Sequence, residues 1–158
     1  MASNQKNLSD YSQKNIKDMS ARKIALVVSE WNEEVTEALY QGSYETLLNN
    51  GAQRDNIIRK NVPGSFELSL GAQWMAEIEE IDAVICLGCV VQGETKHFDF
   101  ICDAVAHGIT NVSLKYNKPV IFGVLTSNTQ KQALDRAGGK YGNKGDEAAI
   151  TAIKMLGF

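Results

Sequence analysis

The most constraining feature of the sequence is an unbroken apolar run, AVICLGCVV, at residues 83–91. The run is too short to cross a membrane, and it lacks the alternating polar positions of a strand with one face in water. It is typical of a strand buried on both faces, as in a parallel sheet covered by helices. Residues 23–28 and 119–125 have similar patterns, and residues 56–62, cut off by Pro63, are a weaker fourth candidate.

Helical segments lie between these strands. In residues 33–50, Val35, Ala38 and Leu39 share one helical face, and Gly51 follows at the position that commonly ends a helix. Further helices are predicted at residues 66–81, 98–116, 129–137 and 146–156, with a glycine-rich stretch at 138–145 before the last one. This alternation predicts βαβ units. We therefore expect an α/β protein, a flavodoxin-like three-layer α/β/α sandwich with a four-stranded parallel sheet.

The chain length fits one domain. It has 158 residues and a mass of 17.3 kDa, enough to bury a core without a disulfide or metal. Residues 1–21 are polar with scattered apolar positions such as Met19, so we expect a flexible N-terminal arm there and a single domain at 22–158. Two interpretations of the arm stay open: a disordered tail, or a segment that docks on a partner subunit.

Composition excludes several classes of protein. Sixteen basic and nineteen acidic residues give a net charge of −3, which argues against broad nucleic-acid binding. No window approaches eighteen consecutive apolar residues, and the first twenty residues lack the apolar segment of a secretory signal. Three cysteines without a disulfide framework favour a reducing compartment. The expected location is the cytoplasm.

Topology predicts where a ligand would bind. In open α/β sheets, ligands bind beyond the carboxyl ends of the strands. The loops there are residues 29–32, 63–67, 92–97 and 126–129, and they hold two aromatic residues, several hydrogen-bonding groups and one of the two histidines. This combination is typical of a site for a planar polar ring and an anion.

The loop at residues 92–95 is the best candidate for the anion. It leads from a strand into a helix, so free backbone N–H groups and the positive helix end meet there. Gly93 permits close backbone approach, and the Thr95 hydroxyl can donate a hydrogen bond. The alternative is an ordinary turn with Thr95 as N-cap. No P-loop or GxGxxG pattern occurs, so a nucleoside triphosphate or a dinucleotide is not indicated.

Two histidines differ in their predicted surroundings. His97 lies in the first turn of its helix, where the helix dipole favours a neutral imidazole able to accept a proton. A histidine that only caps the helix is the alternative. His107 lies in mid-helix and is predicted to be a surface or interface residue.

Several other side chains are ambiguous in the sequence. Cys86 and Cys89 form a C-x-x-C pattern, but inside an apolar strand and without a second pair, so packing is favoured over zinc or redox use. Cys102 also has the pattern of a core residue. Both Trp31 and Phe66 are candidates for ring stacking or for the core. The remaining candidates are Glu67 and Glu94 as an acid pair, and Arg136 as a solvated helix-end charge.

Taken in order, four segments resemble the lumazine synthase (6,7-dimethyl-8-ribityllumazine synthase) family. They are PGSFE at 63–67, LGCVVQGETKHFD at 87–99, PVIFGVLT at 119–126 and RAGGKYGNKG at 136–145. The resemblance covers about residues 22–156. It implies an enzyme of riboflavin biosynthesis, a transferase that condenses 5-amino-6-(D-ribitylamino)uracil with 3,4-dihydroxy-2-butanone 4-phosphate and releases phosphate and water. It implies no cofactor and no metal.

The resemblance also implies roles for individual residues. It assigns the aminouracil to Trp31, stacked on the ring, Asn32 beside it, Ser65, Phe66 and Glu67 around the ribityl chain, and Cys89, Val90 and Val91 along the ring. It assigns the phosphate to Gly93, Glu94, Thr95 and Arg136, proton transfer to His97, and further ring contacts to Phe122 and Lys144. Of these, Phe122, Arg136 and Lys144 are implied to come from a neighbouring subunit, so that the active site is shared. The implied assembly is a pentamer, which in some members joins into a sixty-subunit icosahedral shell. Riboflavin synthase is a candidate partner, and its enclosure in such a shell stays open.

Three residues depart from the family pattern, and other functions compete. Trp31 stands where phenylalanine is commoner, Gln92 where a basic residue is common, and Cys89 where threonine or a small residue is common. The competing enzyme is the archaeal type of riboflavin synthase, which shares the fold. The competing non-enzyme is a carrier that binds a flavin or lumazine.

Overall fold

A computed structural model describes residues 18–158. Its strands are β1 (Ile24–Ser29), β2 (Ile57–Val62), β3 (Ala83–Val91), β4 (Val120–Ser127), β5 (Ala137–Gly139) and β6 (Gly142–Asn143). Its helices are α1 (Glu33–Asn49), α2 (Leu68–Ala76), α3 (His97–Tyr116), α4 (Gln130–Leu134) and α5 (Lys144–Leu156). None of these helices is long and apolar enough to cross a membrane.

The first four strands form one parallel sheet in the order β2-β1-β3-β4, as predicted. Helices cover both faces, which explains the unbroken apolar runs. On β1, Leu26 and Val28 pack toward α1 and α5, whereas Ala25 and Val27 pack toward α2 and α3. The expected three-layer α/β/α architecture is therefore confirmed.

The end of α1 follows the sequence prediction closely. Gly51 has φ +92°, a left-handed conformation that costs glycine little. Its N–H donates to the Leu48 carbonyl at 3.0 Å, and the Ala52 N–H donates to the Leu47 carbonyl at 3.1 Å. This pair of bonds is a Schellman motif, which satisfies carbonyls that the helix end leaves open.

Helix α2 is shorter than predicted. It spans Leu68–Ala76 rather than residues 66–81, because Ser65–Glu67 forms a separate 3-10 turn. Beyond Ala76 the chain carries three glutamates within residues 77–80, which are unfavourable at the negative end of a helix. The chain then turns so that Ile81, 1% exposed, enters the core.

The glycine-rich stretch at 138–145 is not a bare linker. It holds most of a short antiparallel hairpin, β5–β6, and Gly138 and Gly142 both have positive φ. Pairing of residues 137–139 ends α4 at Leu134 rather than at the predicted residue 137. Helix α5 begins at Lys144 rather than at 146, because the Asn143 side chain accepts the Gly145 N–H at 2.8 Å and caps the helix.

Most of the predicted arm, residues 1–17, lies outside the described residues. The end of the predicted arm is part of the packed body, since Met19 is 1% exposed and lies in the core beneath α1 and α5. Just beyond it, Arg22 pairs with Asp82 at 2.7 Å. The packed part of the chain therefore includes Met19, while a flexible arm stays a prediction.

Replacing Gly145 with alanine is expected to destabilise the fold. A Cβ there would overlap the Leu39 carbonyl oxygen, which belongs to the backbone of α1 and cannot rotate away. The expected loss is about 1–3 kcal/mol, the usual cost of overpacking, measured by urea unfolding. Gly93→Ala is the matched control, because its Cβ would meet nothing within 4 Å. Equal midpoints for the two variants would contradict the prediction.

Candidate active site

The principal cavity, of about 710 Å³, lies at the carboxyl ends of β1, β2 and β3. Its walls come from three of the four loops that the strand-end rule selects. The lining residues are Trp31, Asn32, Gly64, Ser65, Phe66, Glu67, Cys89, Val90, Val91, Gly93, Thr95, His97, Phe98 and Ile101. One chain thus brings together most of the residues that the sequence predicts for the aminouracil, together with His97.

The two aromatic side chains at the cavity are exposed. Trp31 is 73% exposed and Phe66 is 56% exposed, so neither belongs to the core. The backbone of Trp31 is nevertheless held firmly. Its N–H donates to the Pro63 carbonyl at 3.1 Å, and its carbonyl accepts the Ser29 hydroxyl at 3.3 Å. The loop after β1 therefore presents the indole to the cavity from a fixed backbone.

The floor of the cavity is a polar junction at the end of β3. Asn32 Nδ2 donates to the Cys89 carbonyl at 2.9 Å, and the buried Ser65 hydroxyl approaches the same oxygen at 3.4 Å. Gly88 makes room for this hydroxyl, since a Cβ at Gly88 would lie 2.7 Å from Ser65 Oγ. The loops after β1 and β2 are thus tied to β3.

The cysteines have no arrangement suited to shared metal binding. Cys86 packs on the α2 and α3 side of the sheet and Cys89 on the α1 and α5 side, which confirms the packing interpretation. Burial raises the pKa of Cys86 to about 12 and that of Cys89 to about 11, so both thiols are neutral near pH 7. Cys102 is only half-buried, so the prediction that it is a core residue is wrong. It lies on a side of α3 that the rest of the chain covers only in part.

The predicted anion turn is open to solvent. Gly93 and Thr95 line the cavity, whereas Glu94 does not. The Thr95 hydroxyl accepts the His97 N–H at 3.3 Å, which is the behaviour of a capping residue, and its own hydrogen stays available to donate outward. Helix α3 begins at His97, so its first amide groups and positive dipole end adjoin this turn.

His97 borders the cavity from the start of α3. Its side chain is exposed, and within residues 18–158 its imidazole has no hydrogen-bond partner. The ring is therefore available to a bound molecule. His107 is different, since Nδ1 lies 3.2 Å from Asp103 Oδ1 on the exposed face of the same helix, as expected of a surface residue.

Three predicted site residues lie elsewhere in the chain. Phe122, Arg136 and Lys144 line a second cavity of about 490 Å³, which shares no lining residue with the first. The Arg136 guanidinium lies 4.7 Å from the Tyr141 ring centroid, and Lys144 Nζ lies 3.1 Å from a carboxylate oxygen of Glu147. One chain therefore does not unite these residues with His97.

Comparison with known proteins supports one family. A family model described as 6,7-dimethyl-8-ribityllumazine synthase matches residues 21–158. The chain belongs to the 6,7-dimethyl-8-ribityllumazine synthase family. Such enzymes are transferases of riboflavin biosynthesis, so the predicted family and activity are confirmed.

Relatives with this name match along almost the whole chain. A 6,7-dimethyl-8-ribityllumazine synthase of Cytophaga hutchinsonii is 67% identical over 156 residues, 99% of this chain and 98% of the relative. One of Parabacteroides distasonis is 54% identical over 158 residues, 100% of this chain and 99% of the relative. One of Flavobacterium johnsoniae is 52% identical, covering 98% of this chain and 82% of the relative.

Sequence reasoning missed some lining residues of this lumazine synthase family member. Gly64, Phe98 and Ile101 line the first cavity, and Tyr141 and Glu147 line the second. Ile101 lies one helical turn after His97 and Phe98, so helical spacing on α3 contained a signal for it. For Glu147, 6% exposed, the sequence contains no comparable signal, because its burial depends on how α5 packs.

Proposed function

We propose that the chain joins 5-amino-6-(D-ribitylamino)uracil to 3,4-dihydroxy-2-butanone 4-phosphate in the cavity beside His97. One observation carries this proposal. The candidate ring platform, ribityl loop, phosphate turn and proton-transfer residue all border the same space. Holding two reactants in register there would supply much of the rate.

The cavity walls suit the two substrates in different ways. Trp31 offers exposed aromatic surface to the planar uracil. Phe66 and Glu67 lie on the turn proposed for the ribityl chain, where Glu67 offers acceptors to the hydroxyls. The ring site is bordered by Cys89, Val90 and Val91. On the other side, residues 93–95 and the first amides of α3 suit a phosphate.

The proposed chemistry needs proton transfer more than an activated nucleophile. The uracil amine attacks the ketone, and loss of water gives an imine. Removal of a carbon-bound proton then permits elimination of phosphate, and attack of the second amine with loss of a second water closes the ring. A neutral imidazole at His97 accepts and returns these protons. Neither Cys86 nor Cys89 serves as a base, because both are buried with raised pKa values.

The active site is proposed to be completed by a neighbouring copy. Phe122, Arg136 and Lys144 border their own cavity, and two partial sites on one chain are complementary if copies pack around a ring. Arg136 would then offer its guanidinium fork to the phosphate bound at the neighbour's residues 93–95. The glycine-rich segment at 138–145 is short, as in shell-forming members of the family. We therefore propose a pentamer in the cytoplasm as the minimum unit and a sixty-subunit shell as the favoured assembly, with riboflavin synthase as a candidate partner.

Release of inorganic phosphate tests the proposed reaction. Purified protein should release phosphate from the butanone phosphate only when the aminouracil is present, and a lumazine should form at the same rate. Release without the aminouracil, or none with both substrates, would overturn the proposal. A change in flavin fluorescence without phosphate release would instead identify a carrier, and conversion of lumazine to riboflavin the archaeal type of riboflavin synthase.

Sedimentation tests the proposed assembly. At micromolar concentration the chain is expected to sediment as a pentamer or as a closed shell of sixty copies, because each site is formed between two adjacent chains. Analytical ultracentrifugation distinguishes these species by mass. A monomer or dimer that releases phosphate at full rate would contradict the shared site.

A further inference from the structure

We propose that Asn32 is a positioning residue that holds the Trp31 platform in place by donating to the Cys89 carbonyl. The proposal rests on the proposed function, since it gives Trp31 a ring to bind. In this role the Asn32 amide nitrogen binds the cavity floor rather than the substrate.

Trp31 needs an external constraint because its own side chain has little packing. The indole is 73% exposed, so contacts with the core do not set its orientation. Its direction depends on the backbone around it. Before it, the Glu30 N–H donates to the Val62 carbonyl at 2.8 Å, and the Trp31 N–H donates to the Pro63 carbonyl at 3.1 Å. The residue after Trp31 completes the constraint.

That residue, Asn32, has an unusual backbone conformation. Its φ of 63° and ψ of 45° lie in the left-handed region, which asparagine adopts more readily than other residues with side chains. Its carbonyl accepts the Val35 and Thr36 N–H groups at 2.9 and 3.1 Å, so α1 starts from this turn. Conformations of this kind persist only where surrounding contacts enforce them.

The Asn32 side chain is committed to β3 rather than to its own helix. An asparagine at a helix start commonly caps an amide of the first turn, but this one makes no such bond. Its Nδ2 donates instead to the Cys89 carbonyl, 57 residues away, at 2.9 Å. Helix α1 therefore has no side-chain cap from Asn32, and the loop after β1 is instead linked to β3 in the centre of the sheet.

The Cys89 carbonyl is the point where two loops meet strand β3. It accepts Asn32 Nδ2 from the loop after β1 and adjoins the Ser65 hydroxyl from the loop after β2. Because Trp31 and Phe66 directly neighbour these two donors, the link sets the gap between the two exposed aromatic rings. The anion turn at residues 93–95 takes no part in this junction. Loss of the link should therefore weaken binding of the aminouracil more than binding of the phosphate substrate.

The test uses Trp31 as its own reporter. The chain has two tryptophans, Trp31 and Trp74, so a Trp74→Phe background leaves one indole. In that background, Asn32→Gly keeps access to the left-handed backbone but removes the donor. We expect a fast local component in the time-resolved anisotropy of Trp31. We also expect the KM of the aminouracil to rise about three- to tenfold, the range for one lost hydrogen bond, with the other KM changed less than about twofold.

Two further variants separate the donor from other effects. Asn32→Asp keeps the shape but turns an acceptor toward the Cys89 carbonyl, so its loss should equal or exceed that of Asn32→Gly. Asn56→Gly is the matched control, because its Nδ2 donates to the Ser20 carbonyl at 3.1 Å, at the opposite end of β2 from the cavity. Asn56→Gly should change neither the Trp31 anisotropy nor the KM of either substrate.

Three outcomes would overturn the positioning role. The first is an Asn32→Gly variant with unchanged Trp31 anisotropy and an unchanged aminouracil KM. The second is an Asn32→Asp variant with the anisotropy and KM of the parent. The third is that Asn32→Gly and Asn56→Gly raise the KM of both substrates to the same extent. Failure of the proposed function has a separate signature, since the Trp74→Phe parent would then release no phosphate. The anisotropy of Trp31 still decides the role of Asn32 in that case.

Discussion

Replacing His97 with alanine is expected to lower turnover by about 10²–10⁴-fold, the usual contribution of a positioned acid–base group. The fold should persist, because the side chain is exposed and has no hydrogen-bond partner within residues 18–158. Both KM values should change little, since the imidazole acts on protons rather than on binding. Steady-state phosphate release measures kcat and KM together.

The matched control for this prediction is His107→Ala. That histidine lies on the same helix, pairs with Asp103 and is not among the residues that line the two cavities described above, so its loss should leave turnover unchanged. Full turnover in an assembled His97→Ala variant would show that His97 only caps the start of α3.

Replacing Arg136 with alanine is expected to raise the KM of the butanone phosphate about 10- to 150-fold. This range corresponds to the loss of one charge-assisted hydrogen-bond contact, about 1.5–3 kcal/mol. The KM of the aminouracil should change much less. Arg136→Lys should recover only part of the loss, because an ammonium cannot make the planar fork. Arg54→Ala, which removes an exposed guanidinium before β2, is the charge-matched control. Equal losses for both substrates would mark Arg136 as structural.

A mixing experiment asks whether Arg136 acts across the subunit boundary. His97 and Arg136 border different cavities of one chain. His97→Ala and Arg136→Ala therefore each inactivate a different half of a shared site. In rings assembled from equal amounts of His97→Ala and Arg136→Ala chains, about one quarter of the sites should combine two intact halves. At a butanone phosphate concentration well below the KM of Arg136→Ala, activity should therefore rise above that of either variant alone. Mixed rings without any such rise would place both residues in the same subunit's site.

Local patterns along the chain were enough to predict the architecture. The unbroken run at residues 83–91 requires apolar cover on both faces, and it became β3 with every side chain from Ala83 to Cys89 buried. Gly51 ended α1 where its position predicted, because a left-handed residue is a local requirement that glycine meets. The strand-end rule likewise identified the loops that line the main cavity. These features depend on neighbouring residues and on sheet chirality, so they can be read from a single chain.

The contacts between distant segments could not be predicted in this way. The burial of Met19, the pairing of Ala137 with Asn143 and the early start of α5 depend on packing partners that local patterns do not specify. The same holds for the site. The family resemblance placed Asn32 beside a ring, but the bond from its amide to the Cys89 carbonyl joins a loop to a strand residue 57 positions away. Hydrophobic periodicity records which face of an element is buried, whereas contacts between elements are decided only when the whole core assembles.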